Sequence, residues 1–397
     1  MNSMKAIFYL KVLENKLYVK GQIPYINGDK QPQIIVGKNV NIHSISINGN
    51  SNFVSNVSTE NDYFIVYTNN EYEEEGVIEI EYDTNIVGEN NIISDELIAI
   101  SLYSNPFPIK LETYIDGSLC YLEEGFENYD VMNSYIDEET GLVVKETCSK
   151  TETANIIAYK KGKYKSFEYG KFKVFYRTES AYDTFYKIAC LGDAALKFFN
   201  QIYQEKNDDM EIYELGLGYP AAYNRGNIVV YGADPNEFKF PIQVPEDFPL
   251  VENDFKEYLI QAIVHEIGHK WFIGADIFSY EDWLNETGAE WSNLLYLLAE
   301  DNKELFDKII KYHEYQNKMC NEPIKPSDNH KPNAVHSSGV ILFYKIYQKY
   351  GKDMIIKMLK LLSEMELKTT DKFIELIRTD INSDIADFML EEICRVV

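Results

Sequence analysis

The segment HEIGH places His265, Glu266 and His269 within five residues and is the clearest chemical pattern in the sequence. On a helix, residues four apart lie on one face with Cβ atoms about 5–6 Å apart, so both imidazoles can reach one ion. Glu266, next to the first histidine, projects to the side where an attacking water would sit, which is the HExxH arrangement. By itself the pattern is also compatible with a polar helix face of coincidental spacing.

Further features around the motif favour a metal centre over coincidence. Apolar residues at helical spacing predict a buried side for the helix, against which the histidines lie. Glu286, 17 residues after His269, opens a second predicted helix in WLNETGAEW and is a candidate third ligand. Glu290, one turn later on the same face, can hydrogen-bond a ligand histidine, which fixes its tautomer and raises its basicity. Three protein ligands and one open position are typical of catalytic zinc, so we predict one Zn²⁺ per chain.

The elements that must position these residues fall into two regions. Residues 1 to about 170 contain short alternating or β-branched runs, separated by polar turn clusters rich in Asn, Gly and Asp. This spacing predicts an antiparallel β-sandwich or a saddle-shaped sheet. Near Ser180 the apolar period becomes helical. The sequence therefore predicts an α+β fold, with a β-rich domain over 1–172 and a mostly helical domain over 173–397.

Within the second region the apolar spacing and the Gly and Pro positions predict the order of elements. The segment NIVVY after residue 226 is a predicted strand, and 325–339 is a predicted long loop. The predicted helices cover 181–206, 253–272, 285–299, 302–320, 336–364, 369–379 and 383–395.

Charge and composition exclude several classes of function. The net charge is -26 with only four arginines, which argues against nucleic acid or an anionic membrane surface as a partner. Five scattered cysteines without a CxxC pair indicate neither a disulfide framework nor a cysteine metal site. The N-terminal apolar run is too short for a secretory signal, and no run reaches transmembrane length. We therefore expect a soluble, cytoplasmic protein.

HEIGHKWFIG followed by WLNETGAEW resembles the zinc signature of the aminopeptidase N family, also called membrane alanyl aminopeptidases. These are gluzincin zinc metallopeptidases with a thermolysin-like catalytic domain, and their β-rich domain also comes first. The resemblance covers 1–390 in outline and is motif-specific from about 219 to 345. It implies that His265, His269 and Glu286 are zinc ligands and that Glu266 is the general base. In such a site zinc lowers the pKa of water toward about 7 and polarises the scissile carbonyl.

The substrate-binding positions depart from the family pattern. Sixteen residues separate His269 from Glu286, where the family usually has 18, and a shorter loop accommodates this. In the family a GAMEN glutamate binds the free amine of the substrate. The matching stretch here is AAYNR, so Asn224 stands in the glutamate position and brings no charge. Arg225 either favours an anionic substrate group or is a solvated strand residue.

The family also stabilises the oxyanion with a tyrosine a few residues before a glycine. In the matching segment VHSSGV, His336 stands at that position, and an imidazole N–H can donate the same hydrogen bond. His330 and Tyr344 are substitutes for this role, and the alternative is a loop histidine without a role. The chain ends near Val397, where members commonly add a helical domain over the active site. We therefore expect a short member with a more open cleft, or one closed by another subunit; the sequence does not give the oligomeric state.

These patterns favour a zinc metallopeptidase that acts on peptides, either as an aminopeptidase or as an endopeptidase. A second hypothesis is a non-catalytic protein that keeps the zinc fold as a scaffold for partner binding. Asn224 and the missing tyrosine support that alternative, whereas the presence of Glu266 opposes it, since the fold would tolerate its loss. Zinc-dependent hydrolysis of a non-peptide bond is a third possibility.

Overall fold

The computed structural model describes residues 164–216, 222–237, 248–277 and 279–395. Between residues 5 and 159 it describes the strands given below, with the adjoining residues 5, 48, 49, 51, 137–140 and 142. The chain divides into two compact units, 1–164 and 165–397. The predicted domain boundary at 172 and 173 falls inside the second unit, where an antiparallel hairpin continues its sheet.

The first unit is built from β-strands. A sheet of seven described strands has the order β11-β12-β10-β1-β2-β7-β4, and two three-stranded sheets have the orders β13-β9-β8 and β3-β6-β5. All described neighbours run antiparallel as predicted, except that β1 pairs with β10 in parallel. The strands are β1 Ala6–Leu13, β2 Lys16–Ile26, β3 Gln33–Gly37, β4 Val40–Ile47, β5 Phe53–Val54, β6 Tyr63–Thr68, β7 Glu75–Thr84, β8 Ile92–Ile93, β9 Leu97–Ser101, β10 Ser118–Leu122, β11 Ser134–Ile136, β12 Val143–Thr147 and β13 Asn155–Tyr159.

Alternation explains why the first of these segments forms a strand. Ala6, Phe8 and Leu10 are fully buried, whereas Tyr9 between them is exposed. Because successive side chains of a strand point to opposite faces, this period of two buries one face of the sheet.

The second unit contains a five-stranded mixed sheet and the helices. The sheet order is β14-β15-β16-β18-β17, in which the three central strands are parallel and the outer pairs are antiparallel. The strands are β14 Lys165–Tyr169, β15 Phe172–Tyr176, β16 Met210–Glu214, β17 Ala222–Arg225 and β18 Ile228–Tyr231. The α-helices are α1 Tyr182–Ile202, α2 Glu252–Gly268, α3 Trp283–Ala299, α4 Lys303–Cys320, α5 Val335–Tyr350, α6 Lys352–Glu364, α7 Thr370–Leu376 and α8 Ser383–Ile393.

The helices share one large apolar core with the sheet, and the three tryptophans lie within it. Each indole N–H donates a hydrogen bond, from Trp271 to the Gln204 carbonyl, from Trp283 to Thr370 and from Trp291 to the Val340 carbonyl. Because a buried indole N–H without an acceptor is costly, these bonds fix the rings in the core. Within the described part of the chain, no helix has the length and apolar character needed to cross a membrane.

Two of the predicted helices differ most from the structure. The predicted helix 336–364 is two helices, α5 and α6, separated at Gly351, whose φ of 80° lies in the left-handed region. The helix that carries HEIGH ends at Gly268, and His269 is its C-terminal cap. The chain therefore turns directly after the second histidine.

Candidate metal centre

Two close helix contacts bring the candidate residues together. A Cβ on Gly268 of α2 would lie 2.9 Å from the Ala289 Cα of α3, so the glycine lets the two backbones touch. This contact brings His265 and His269 beside the first turns of α3. Likewise, a Cβ on Gly339 would lie 2.0 Å from the Thr287 Oγ1, so α5 also packs tightly on α3. His336, one turn before that glycine, is thereby brought to the same place.

Hydrogen bonds at the outer ring nitrogens orient both histidines. His265 Nδ1 lies 2.7 Å from Glu290 Oε2, and His269 Nδ1 lies 3.1 Å from the carbonyl oxygen of Phe272. Both partners can only accept, so each histidine donates its proton from Nδ1. The Nε2 lone pair of each ring is therefore left free to bind a metal.

The three inner donor atoms have the spacing that a small metal ion requires. The two Nε2 atoms of His265 and His269 are 3.2 Å apart, and Glu286 Oε2 lies 3.4 Å and 3.8 Å from them. Donors about 2.0–2.2 Å from one tetrahedral ion are separated by about 3.3–3.5 Å. The buried Glu286 Oε2 accepts no well-aligned hydrogen bond from the described residues, although His336 Nδ1 lies 2.7 Å from it. Two facing lone pairs and a buried carboxylate oxygen fit a divalent cation, so these three residues form a group that can hold a metal ion.

Both carboxylates of α3 are held in the ionised form. Burial by itself raises the pKa of Glu286, but the adjacent imidazoles of His336 and His269, when protonated, bring that pKa well below its usual range. A cation bound to neutral histidines would supply the same positive charge. Burial likewise opposes ionisation of Glu290, and the hydrogen bond from His265, with the nearby His313 ring, reverses that effect and lowers the pKa of Glu290. An ionised Glu286 can serve as a metal ligand, and an ionised Glu290 is the acceptor that orients His265.

We expect Glu290→Gln to weaken metal binding about 10–100-fold, because it removes the charged acceptor from His265 Nδ1. Competition between the protein and a chromophoric zinc chelator measures this change. Glu300→Gln, at the exposed end of the same helix, is the matched control and should keep wild-type affinity. Equal zinc affinity of the Glu290 variant and the wild type would contradict the prediction.

The predicted general base and the substrate positions lie around this group. Glu266 is buried, and its backbone carbonyl accepts a hydrogen bond of 3.0 Å from Asn224 Nδ2. Asn224 belongs to β17, which is the outer strand of its sheet in the described part of the chain. Its amide therefore ties that strand to α2. The side chain of Arg225 lies outside the described residues, as does Ala221.

His336 lies in the first turn of α5, which begins at Val335. The predicted helix start at 336 is therefore confirmed, and the predicted loop 325–339 ends before residue 335. Its Nδ1 is 2.7 Å from Glu286 Oε2, and its side chain is 62% exposed. The predicted substitutes have other partners. His330 pairs with Asp328 at 2.6 Å, and Tyr344 packs with Phe306 and Tyr347.

The sequence patterns missed His313 of α4, which is buried against Glu290. The sequence of α4 does contain a pattern that indicates a buried polar residue at this position. The apolar stripe of α4 continues from Phe306, Ile309 and Ile310 to His313 and Asn317, so two polar residues stand where core residues are expected. Polar groups at buried positions need partners, and such an interruption predicts a buried network.

Comparison with known proteins identifies the fold. The sequence matches no family model and no curated protein. Among solved structures, native yeast LTA4 hydrolase superposes with a TM-score of 0.70 at 12% identity, over 97% of this chain and 66% of that chain. The M1 zinc metallopeptidase from Deinococcus radiodurans superposes with a TM-score of 0.61 at 12% identity, over 100% and 94% of the two chains.

A third similar structure is Legionella pneumophila aminopeptidase A in complex with aspartic acid, with a TM-score of 0.68 at 12% identity. This alignment covers 99% of this chain and 49% of that one. The chain thus spans under two thirds of the yeast and Legionella proteins and almost all of the Deinococcus one. At these identities the comparison establishes the fold, and the chain has the α+β fold of the M1 zinc aminopeptidases.

Proposed function

We propose that the chain is a zinc-dependent metallopeptidase that hydrolyses peptide bonds, with one Zn²⁺ held by His265, His269 and Glu286. The observation that carries the proposal is the set of three facing donor atoms at 3.2–3.8 Å. Three protein donors leave one position for substrate or water, which is the arrangement of catalytic rather than structural zinc.

Bound zinc would polarise the scissile carbonyl and lower the pKa of the attacking water. Under the proposal, Glu266 takes the proton from that water and delivers it to the leaving amine. Two observations support this role: Glu266 directly follows His265 on α2, and its burial keeps the carboxylate from full hydration. Proton transfer by such a group contributes about 10²–10⁴ in rate.

The substrate would lie along β17. In the described part of the chain β17 is the outer strand of its sheet, and an extended peptide can add to a sheet edge as another strand. Asn224 on this strand donates its amide to the Glu266 carbonyl and offers no charge to a substrate ammonium. Peptides with blocked N-termini are therefore candidate substrates alongside peptides with a free amine.

Metal removal tests the proposal. We expect about one zinc per chain by metal analysis, loss of peptide cleavage after dialysis against a chelator, and recovery when zinc is restored. Aminoacyl fluorogenic substrates and internally quenched, N-blocked peptides should be assayed side by side. Cleavage of only the free-amine set identifies an aminopeptidase, and cleavage of the blocked set identifies an endopeptidase. Cleavage that persists without bound metal would refute the proposal.

A non-catalytic scaffold is the second candidate. Two observations favour it: Asn224 holds a strand to a helix, and His336 stands where the family has a tyrosine. Stoichiometric zinc together with no cleavage of either substrate set would support this candidate over the peptidase. Hydrolysis of a non-peptide bond would be found by the same chelator-controlled assay with ester substrates.

A further inference from the structure

His313 contacts both helices that complete the metal centre. It is 3% exposed and lies on the buried face of α4. Its Nδ1 is 3.0 Å from the Ser337 Oγ of α5, and its Nε2 is 3.5 Å from the Glu290 Oε1 of α3. Nε2 makes no well-aligned hydrogen bond with the described part of the chain, and Glu290 Oε1 is the acceptor that it faces. An imidazole with its proton on Nε2 fits both contacts, because the Ser337 hydroxyl then donates to Nδ1 and the Nε2 proton points toward the carboxylate.

Glu290 connects His313 to the metal centre, because it also contacts His265. One carboxylate oxygen accepts from His265 Nδ1 at 2.7 Å, and the other accepts from Asn293 Nδ2 at 3.1 Å. Asn293 in turn accepts from Gln261 Nε2 at 2.8 Å. The carboxylate is only 2% exposed, so it depends on these donors and on His313 for compensation of its charge.

Through Ser337, His313 contacts the first turn of α5, which carries His336. Ser337 is buried in the first turn of α5, directly after His336. His336 Nδ1 approaches Glu286 at 2.7 Å, so a small shift of this turn changes where the His336 ring stands. His313 therefore connects Glu290, which binds His265 Nδ1, to α5, whose His336 contacts Glu286.

We propose that His313 is a positioning residue, which orients His265 through Glu290 and sets the first turn of α5, and thus His336, through Ser337. This inference rests on the proposed function. An apolar residue would serve packing alone at this position, as Phe306, Ile309 and Ile310 do on the same face. A buried imidazole costs desolvation, which the Ser337 hydrogen bond offsets in part, while its other nitrogen faces the Glu290 carboxylate.

Amide variants separate the two contacts. The amide nitrogen of glutamine can occupy the place of Nε2, whereas that of asparagine can occupy the place of Nδ1. With zinc-loaded protein and a chromophoric chelator, we expect His313→Asn and His313→Leu to bind zinc about tenfold more weakly, at the lower end of the range for residues that support metal ligands. His313→Gln should bind zinc as the wild type does. The visible spectrum of the Co²⁺-substituted protein should change in the same two variants only.

The Ser337 contact has its own control. Ser337→Ala should lower kcat about fivefold, the worth of one hydrogen bond of about 1 kcal/mol, with zinc affinity and KM unchanged. Ser338→Ala is matched, because Ser338 is equally buried on the same turn but donates to Asn317 at 2.7 Å. It should cost stability and leave kcat unchanged.

The outcomes distinguish this inference from the proposed function. Wild-type zinc affinity in His313→Leu, or equal losses in the Gln and Asn variants, would overturn the positioning role while the peptidase proposal stands. Equal kcat values for the two serine variants would overturn the α5 branch. A wild-type chain that binds no zinc overturns the proposed function and this inference together.

Discussion

Glu266→Gln is expected to lower kcat by about 10²–10⁴ while the protein keeps its full zinc content. The glutamine amide has nearly the shape of the carboxylate but cannot accept a proton from water at neutral pH. The proposed ligands His265, His269 and Glu286 are unchanged, so the group that can hold the metal stays intact. Zinc analysis, chelator competition and steady-state kinetics on one preparation measure all three quantities.

Glu257→Gln is the matched control for this variant. Glu257 lies on the exposed part of the same helix, and its replacement should leave kcat at the wild-type value. If Glu266→Gln cleaves peptides at the wild-type rate, Glu266 is not the general base. If it loses zinc instead, the loss of activity reports on the metal site and the assignment needs another test.

The metal group was predictable because its chemistry is local. HEIGH sets its two histidines by helical spacing, and WLNETGAEW sets its glutamates by the same period on the next helix. The only long-range requirement is that the two helices touch. Gly268 meets that requirement, since its missing Cβ lets α3 approach within contact distance.

The parts that the sequence patterns did not give depend on distant partners. The parallel pairing of β1 with β10 joins Ala6 to Ser118, and no local signal encodes that pairing. Helical spacing predicted the start of a helix at His336, but it did not predict that this turn lies beside Glu286. That placement is fixed by the tight contact of Gly339 with Thr287 and by the Ser337 contact with α4. Both contacts join residues that are far apart in the sequence.

His336→Phe is expected to lower kcat about 10²–10³-fold, because it removes the imidazole donor beside the metal ligands. The structure places the ring at Glu286 and leaves more than half of the side chain exposed toward solvent, where substrate would reach it. Phenylalanine keeps the ring volume on the first turn of α5. The readouts are kcat and KM with N-blocked and free-amine peptides, and zinc affinity on the same protein.

These readouts distinguish two roles of His336. Its Nδ1 can hold Glu286, and its Nε2 can donate to the oxyanion. If the ring acts on the developing oxyanion, kcat falls and zinc affinity stays at the wild-type value. If its only role is to hold Glu286, zinc affinity falls and kcat of the fully zinc-loaded variant is preserved. His336→Gln can return an N–H near the position of Nε2, so it should recover part of the lost kcat. His330→Phe is the control, since His330 pairs with Asp328 on the exposed loop and should leave both quantities unchanged.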